Sequence, residues 1–193
     1  ESFPLQNSVF GAIKLDSKYI ISGCFENMDE NDQVRFVEVD LSGKLLKTFG
    51  VFPEEKNRLP NHIKLFAYQG KMISHPNCSR FVFLSAFGAI FEIYEITEEE
   101  VKTVVSYNDK LPLYESNESG NVSGVKYKPE NILGYVDAYA TSKFIFTLFS
   151  GKQMSSRRTG GAEEIMATQH ILVYDWDGNY VCRLETDVPL TNL

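Results

Sequence analysis

The sequence predicts an all-β fold of repeated antiparallel sheets, and three observations support it. Aromatic residues make up 13% of the 193-residue chain, and aromatic side chains favour strands. A short block of a serine, a cation, an aromatic residue and two apolar residues recurs at 17–21, 79–83 and 142–146. A second apolar run that ends in an acidic residue and a turn follows each block, at 36–43, 91–98 and 171–178.

Each repeat is predicted to contain four strands. The first strand precedes the serine block, the second strand is the block, the third is the run with the acidic end, and the fourth follows a turn. The predicted first strands are 9–15, 72–75 and 135–140, and the predicted fourth strands are 45–49, 101–105 and 180–184. Ser42-Gly43 and Asp177-Gly178 are typical hairpin turns. Phe144-Ile145-Phe146 is apolar on both faces, which indicates a sheet buried on both sides.

Four-stranded sheets that repeat along a chain and cover one another are typical of a β-propeller. The predicted organisation is one propeller-type domain over 1–193. Its blades are expected at about 8–51, 70–107 and 132–186, with linker loops at 52–69 and 108–131. A β-sandwich with long loops is the alternative, but it does not explain the regular spacing of the blocks.

The longer connections are predicted to lie on one face of the propeller, where surface loops usually carry function. These connections are 25–32, 52–70, 108–131 and 151–168. The second of them contains a predicted short helix with Asn61 as its N-cap and Gly70 as its stop.

Composition and charge argue against several functional classes. The net charge is −7 and no Lys/Arg cluster is dense, so no nucleic-acid partner is predicted. No apolar run approaches about 18 residues, so no transmembrane segment is expected, and no signal peptide is recognised at Glu1. The cysteines at 24, 78 and 182 lack zinc-site spacing, and the acidic stretch 27–32 lacks EF-hand spacing. The sequence therefore predicts no metal site and no cofactor.

Four residues are predicted as candidate ligand contacts. Arg157 and Arg158 lie in a glycine-containing loop and could clamp a carboxylate, a phosphate or an acidic sugar, although a solvated loop is the alternative. Asp137 lies in the innermost strand of the third repeat, where it could line a channel or accept backbone amides. His75 ends an innermost strand and could face the same channel, or it could be a neutral, hydrogen-bonded histidine.

No catalytic residue is predicted. The sequence has no nucleophile-elbow or phosphate-binding motif. Asp40, Glu95 and Asp175 recur at one repeat position, which indicates a role in stabilising turns because a catalytic site occurs once.

Several motifs together resemble the TolB-like six-bladed propeller family, from Val9 onwards. They are Asp40-Leu41-Ser42-Gly43-Lys44, Tyr68-Gln69-Gly70, Ser74-His75-Pro76, Gly134-Tyr135-Val136-Asp137, Leu148-Phe149-Ser150-Gly151-Lys152 and Tyr174-Asp175-Trp176-Asp177-Gly178. The resemblance implies a propeller and a cell-envelope location, periplasmic or outer-membrane-associated, as in the exported lipoproteins of gut Gram-negative bacteria. It implies no reaction. Six blades are about twice the number predicted here, so a half-propeller or fragment is expected, with end sheets that a second copy or another chain could cover.

Two functions follow as expectations. The first is a non-catalytic binding or scaffolding propeller of the cell envelope that contacts a protein or glycan through loops on one face. Tyr107, Tyr114 and Tyr127 would supply aromatic contact surface. The alternative is a propeller hydrolase or lyase that acts on a sugar or peptide in a central pocket around Asp137, His75 and Arg157.

Overall fold

A computed structural model describes residues 8–24, 34–53, 59–119 and 122–193, without the side chains of 8, 24, 118–119, 122–123 and 157–160. The strands in this part of the chain are β1 Ser8–Lys14, β2 Lys18–Cys24, β3 Phe36–Asp40, β4 Leu45–Phe49, β5 Gly70–Ser74, β6 Arg80–Ser85, β7 Ala89–Ile96, β8 Val101–Lys110, β9 Tyr114–Ser119, β10 Val122–Tyr127, β11 Tyr135–Ala140, β12 Phe144–Phe149, β13 Thr168–Asp175 and β14 Tyr180–Leu190. The helices are α1 Asn61–Ala67, a 3-10 turn Met154–Ser156 and α2 Arg157–Met166. The predicted all-β, propeller-type fold class is confirmed.

The chain forms two compact units. The first comprises residues 1–69 and 115–126, and the second comprises 70–114 and 127–193. Within the described residues, the sheets are β1-β2-β3-β4, β5-β6-β7-β8, β11-β12-β13-β14 and the two-stranded β10-β9. Each four-stranded sheet is an antiparallel meander in chain order, as expected for short turns between consecutive strands.

The first unit contains the β1–β4 sheet, here called the first sheet, and helix α1. Ile20, Phe36 and Val37 are fully buried in this sheet. The predicted helix is present, but Asn61 does not cap it: the cap position is Pro60, and the Asn61 side chain donates instead to the Val34 carbonyl at 3.3 Å. The helix ends at Ala67, so Gly70 is not its stop but begins β5.

The second unit contains the β5–β8 and β11–β14 sheets, here called the second and third sheets, packed face to face. Val82, Leu84, Phe91 and Ile93 of the second sheet form one buried cluster with Tyr135, Ile145 and Trp176 of the third sheet. Burying each such side chain contributes roughly 1.5–3 kcal/mol. This contact is the stacking of neighbouring sheets that the apolar second strands predicted.

Phe144, and not Lys143, occupies the position of the cation in the third repeat. The bonds that close the first turn of each sheet are Leu15 N to Lys18 O, His75 N to Arg80 O and Thr141 N to Phe144 O, each 2.8 Å. The third serine block is therefore one residue out of register with the other two. Because side chains alternate along a strand, this slip exchanges the faces. It explains why Val82 and Ile145, which the blocks aligned, face each other across the sheet contact.

A short segment joins the second and third sheets through backbone hydrogen bonds. Gly134 N donates to Ala86 O at 2.8 Å, and its carbonyl accepts from Ser150 N at 2.9 Å. A Cβ atom at Gly134 would lie 2.4 Å from the Gly88 carbonyl oxygen and 2.5 Å from that of Ser85. Only glycine permits this close approach, so the contact depends on Gly134.

Two connections predicted as loops contain regular structure. The segment 108–131 includes the end of β8 and the β9–β10 sheet, and the segment 151–168 includes the 3-10 turn and α2. In α2 the backbone leaves helical geometry at Gly161, with φ 81°. The predicted loop at 25–32 lies outside the described residues.

Candidate functional site

The connections at one end of the second unit include two long ones, 128–134 and 150–167, and two of three residues each, 86–88 and 111–113. The other end has turns of three to five residues, at 75–79, 97–100, 141–143 and 176–179. We call the first end the looped end. Surface segments held by a rigid sheet are common positions for binding sites.

Asn131 holds several segments of the looped end together. Its side chain is almost fully buried, and its Oδ1 accepts from Leu113 N at 2.8 Å. Its Nδ2 donates to Ile132 O at 3.1 Å, and its carbonyl accepts from Met154 N at 2.7 Å. A satisfied buried polar group of this kind fixes the segments that it joins. The looped end is therefore pre-ordered.

An aromatic pair lies beside these segments. The rings of Phe87 and Tyr127 stack with centroids 3.8 Å apart, and both are partly exposed. Leu113 is 46% exposed in the neighbouring connection. Aromatic faces with a polar edge provide contact surface for proteins and sugars at low entropic cost.

A cavity of about 410 Å³ opens between α2, β13 and β14. Lys152, Glu164, Thr168, Gln169 and His170 contribute to its wall. The Lys152 ammonium donates to the Glu164 and Ala167 carbonyls at 2.7 and 2.9 Å, so it caps the C-terminal end of α2. The volume lies within the range of small-ligand sites.

Asp137 connects the innermost strands of the second and third sheets. Its Oδ1 pairs with Lys71 Nζ, and its Oδ2 accepts from Leu193 N at 2.8 Å. Burial raises the pKa of the Asp137 carboxyl, but the hydrogen bonds from Lys71, Leu193 and Ala138 outweigh it and hold the pKa below its ordinary value. The carboxylate therefore stays charged and joins the two strands. Nothing in the sequence pattern identifies Lys71 as the partner of Asp137.

His75 lies at the short-turn end. Its Nδ1 accepts from Asn77 N at 3.2 Å, and its Nε2 lies 3.1 Å from Ser142 O. Its ring contacts the Trp176 ring edge-to-face at a centroid distance of 4.9 Å. His75 therefore resembles the hydrogen-bonded histidine of the second prediction more closely than a residue that faces an open channel.

Arg157 and Arg158 begin α2, at the looped end, where the sequence predicted a flexible loop. Their side chains lie outside the described residues. Because β12 runs from the turn near His75 to the connection that contains α2, the arginines and His75 lie at opposite ends of the third sheet. The structure therefore does not bring His75 and Arg157 together around Asp137.

Across the described ranges, no group of three or more His, Cys, Asp or Glu side chains could hold a metal ion. In the same part of the chain, no helix has the length and apolar character required to cross a membrane.

Comparisons with known proteins concern the fold. Two solved structures align over 97% of this chain: a eukaryotic initiation factor at 9% identity with TM-score 0.48, and prolyl oligopeptidase B from Galerina marginata, bound to a substrate, at 11% identity with TM-score 0.30. The chain spans 33% and 28% of the lengths of those proteins. A search of the curated proteins finds no match.

The model of one protein family matches residues 8–192, which is nearly all of the sequence. Its description is TolB-like 6-blade propeller-like. The resemblance drawn from the six motifs is thereby confirmed, and the chain belongs to the TolB-like 6-blade propeller-like family.

Proposed function

We propose that this protein is a non-catalytic binding propeller that contacts a protein or glycan through the looped end of its second unit. The observation that carries this proposal is the buried Asn131, which accepts hydrogen bonds from Leu113 and Met154 of two other connections and so joins three segments of the surface. Pre-ordered surfaces bind with a smaller loss of conformational entropy.

Two further features support the proposal. The stacked Phe87 and Tyr127 rings provide contact area, and the cavity near Thr168 has the size of a small-ligand site. Arg157 and Arg158 remain candidate anionic-ligand contacts because α2 begins at the same end. Asp137 and His75 have less support as ligand contacts, since both already bond to neighbouring groups.

The enzyme alternative has less support from the geometry. The Asp137 carboxylate is held by Lys71 and Leu193, and His75 and α2 lie at opposite ends of the third sheet. A hydrolytic site needs its acid and base within reach of one substrate bond.

The family supports the remaining parts of the proposal. We propose an exported location in the bacterial cell envelope, periplasmic or outer-membrane-associated. We also propose that residues 1–193 act as one propeller-type domain with blades at about 8–51, 70–107 and 132–186, and that the chain self-associates through exposed end sheets.

Binding to immobilised peptidoglycan fragments, other envelope glycans and envelope-protein peptides tests the ligand part. The matched variants are Leu113→Glu at the looped end and Leu184→Glu on β14, because these leucines are 46% and 44% exposed. Leu113→Glu should weaken binding at least tenfold, while Leu184→Glu should leave it unchanged. A panel in which nothing binds, or an equal loss in both variants, would contradict the proposal.

A further inference from the structure

The cavity between α2, β13 and β14 lies at the looped end, and one of its walls is the C-terminal end of α2. Lys152 Nζ, from the connection after β12, donates to the Glu164 and Ala167 carbonyls at 2.7 and 2.9 Å. The Ser150 hydroxyl donates to the Ile165 carbonyl. These bonds supply partners for carbonyl groups at the helix end, so this wall is fixed before any ligand binds.

A second wall of the cavity is a bulge in β14. Residues 186–189 have no partner on β13, because the register passes from Glu185 directly to Leu190. The Gln169 side chain holds the bulge by donating to two of its carbonyls at 3.2 and 3.4 Å. Pro189, which lines the cavity, suits a bulge because it has no N–H to pair. Bulges are common beside functional sites, where they redirect side chains. The cavity is therefore pre-formed on this side as well.

Polar groups of the cavity wall keep hydrogen-bonding positions that the described residues do not use. An ammonium group has three N–H donors, and Lys152 uses two of them on the end of α2. Thr168 is 8% exposed and its Oγ1 accepts from His170 N at 3.2 Å, but no described group accepts its hydroxyl hydrogen. His170 Nδ1 is buried without a hydrogen bond to the described residues. Unused polar positions of this kind are costly unless a ligand or solvent completes them.

The side chains of Lys152 and Thr168 are placed to bind one group together. The Lys152 ammonium bonds to the Ala167 carbonyl, and the same peptide unit carries the Thr168 amide. Each side chain has a hydrogen to donate, and the ammonium is positively charged. Together they suit the two oxygens of a carboxylate.

The charge of the wall disfavours a ligand with several negative charges. The C-terminal end of a helix is electronegative, and Glu164 adds a carboxylate to the same wall. A ligand with one negative charge is therefore favoured over a phosphate ester, which carries about two at neutral pH. Most of the cavity surface is apolar, which suits the C–H faces of a sugar ring, and the volume of about 410 Å³ is that of a small-ligand site.

We propose that the cavity binds an acidic sugar, a hexuronic acid residue, with its carboxylate between Lys152 and Thr168. The ring hydroxyls bond to His170 Nδ1, and a C–H face of the ring lies against Pro189. This inference rests on the proposed function, because it takes the ligand at the looped end to be a glycan and specifies that the glycan carries a carboxylate.

Titration calorimetry and NMR of the whole chain test the site with four free probes: D-glucuronate, D-galacturonate, D-glucose and inorganic phosphate. At least one uronate should bind about tenfold or more tightly than glucose and phosphate, because glucose lacks the charge-assisted hydrogen bonds of the carboxylate. In wild type, the amide signals of Thr168 and His170 should shift on addition of that uronate. This readout locates the ligand without any substitution.

Two variants and a matched control test the residues. Lys152→Met should weaken uronate binding about tenfold or more and remove the preference for the uronate over glucose. Thr168→Val should weaken it about fivefold, and it leaves the bonds from Lys152 to α2 in place. The control is Lys143→Met, because Lys143 is also exposed but lies in a turn at the other end of the third sheet. This control should bind as wild type does.

The outcomes separate this inference from the proposed function. Equal binding of uronate and glucose, tighter binding of phosphate, or uronate binding that either Lys152→Met or Thr168→Val leaves unchanged would overturn the inference. An absence of uronate binding to wild type would also overturn it, while a glycan and peptide panel that still depended on Leu113 would leave the proposed function standing. Uronate binding in the cavity with a panel response that Leu113→Glu does not change would support the inference and contradict the proposed contact surface.

Discussion

The turn after β13 and the turn after β3 show what local sequence determines and what a neighbouring sheet determines. Both turns place an aspartate, an apolar residue and a glycine in the same order, and their backbones form the same hydrogen bonds. Only the turn after β13 is packed, with Trp176 buried against the second sheet. The turn geometry is therefore encoded locally, while its contribution to stability depends on the sheet beside it.

The largest expected effect contrasts Trp176→Ala with Leu41→Ala. Truncating a buried tryptophan costs about 3–5 kcal/mol of unfolding free energy, and here it also removes the 2.8 Å hydrogen bond from Nε1 to Thr141 O. Leu41→Ala should change the unfolding free energy by less than about 0.5 kcal/mol because the side chain is exposed. Urea unfolding of both variants measures these losses. Equal losses would mean that the two turns have equivalent surroundings.

The second contrast is Gly178→Ala with Gly43→Ala. Both alanines would adopt a positive φ, which costs about 1–2 kcal/mol. Gly178→Ala adds a steric overlap with Val105, worth about 1–3 kcal/mol. The difference in unfolding midpoint between the two variants isolates the packing against the second sheet. A larger loss for Gly43→Ala would contradict the assignment of which turn is packed.

Much of the fold was predictable because strands carry short-range signals. The alternation of apolar residues and the turns Ser42-Gly43 and Asp177-Gly178 identify strands and hairpins without tertiary information. The register of the third repeat was not predictable from the serine block. Ser142-Lys143 resembles Ser79-Arg80, but the first turn is shorter in the third sheet, and only the bond from Thr141 N to Phe144 O shows the shift.

The candidate site was less predictable because its contacts join distant residues. Asp137 was recognised as a polar residue on an inner strand, but Lys71 lies 66 positions earlier. Asn131 lies among other polar residues in the sequence, so the local sequence did not predict that its side chain is buried. The two glycines at 160–161 favoured a loop over the whole segment, yet the backbone is helical on both sides of Gly161 and leaves helical geometry at that glycine.

A smaller effect is expected for Arg80→Met. Arg80 Nη1 donates to Trp176 O at 2.7 Å and to Asp177 Oδ1 at 3.1 Å, so it holds the packed turn to the second sheet. The side chain is 28% exposed, which lowers the expected loss to about 1 kcal/mol. Lys102→Met is the control, because Lys102 and Arg80 both pair with the Glu95 carboxylate, at 3.3 and 3.5 Å. Equal losses in urea unfolding would assign the effect to Glu95 instead.

The smallest effect concerns pH and should be the same for both turns. The Ser42 hydroxyl and neighbouring amides lower the pKa of Asp40, and the Asn179 side chain and neighbouring amides lower the pKa of Asp175. Because each folded pKa lies below the unfolded value of about 3.9, each carboxylate stabilises the fold above that value. The stabilisation is lost as pH falls through the folded pKa.

Carbon-13 NMR titration of the carboxyl groups should find that the pKa values of Asp40 and Asp175 are both lowered. Asp40→Asn and Asp175→Asn should each slightly reduce the acid sensitivity of unfolding. If only the pKa of Asp175 were lowered, packing against the second sheet, and not the hydrogen bonds inside the turn, would control the charge of the aspartate. The equivalence of the two turns would then fail.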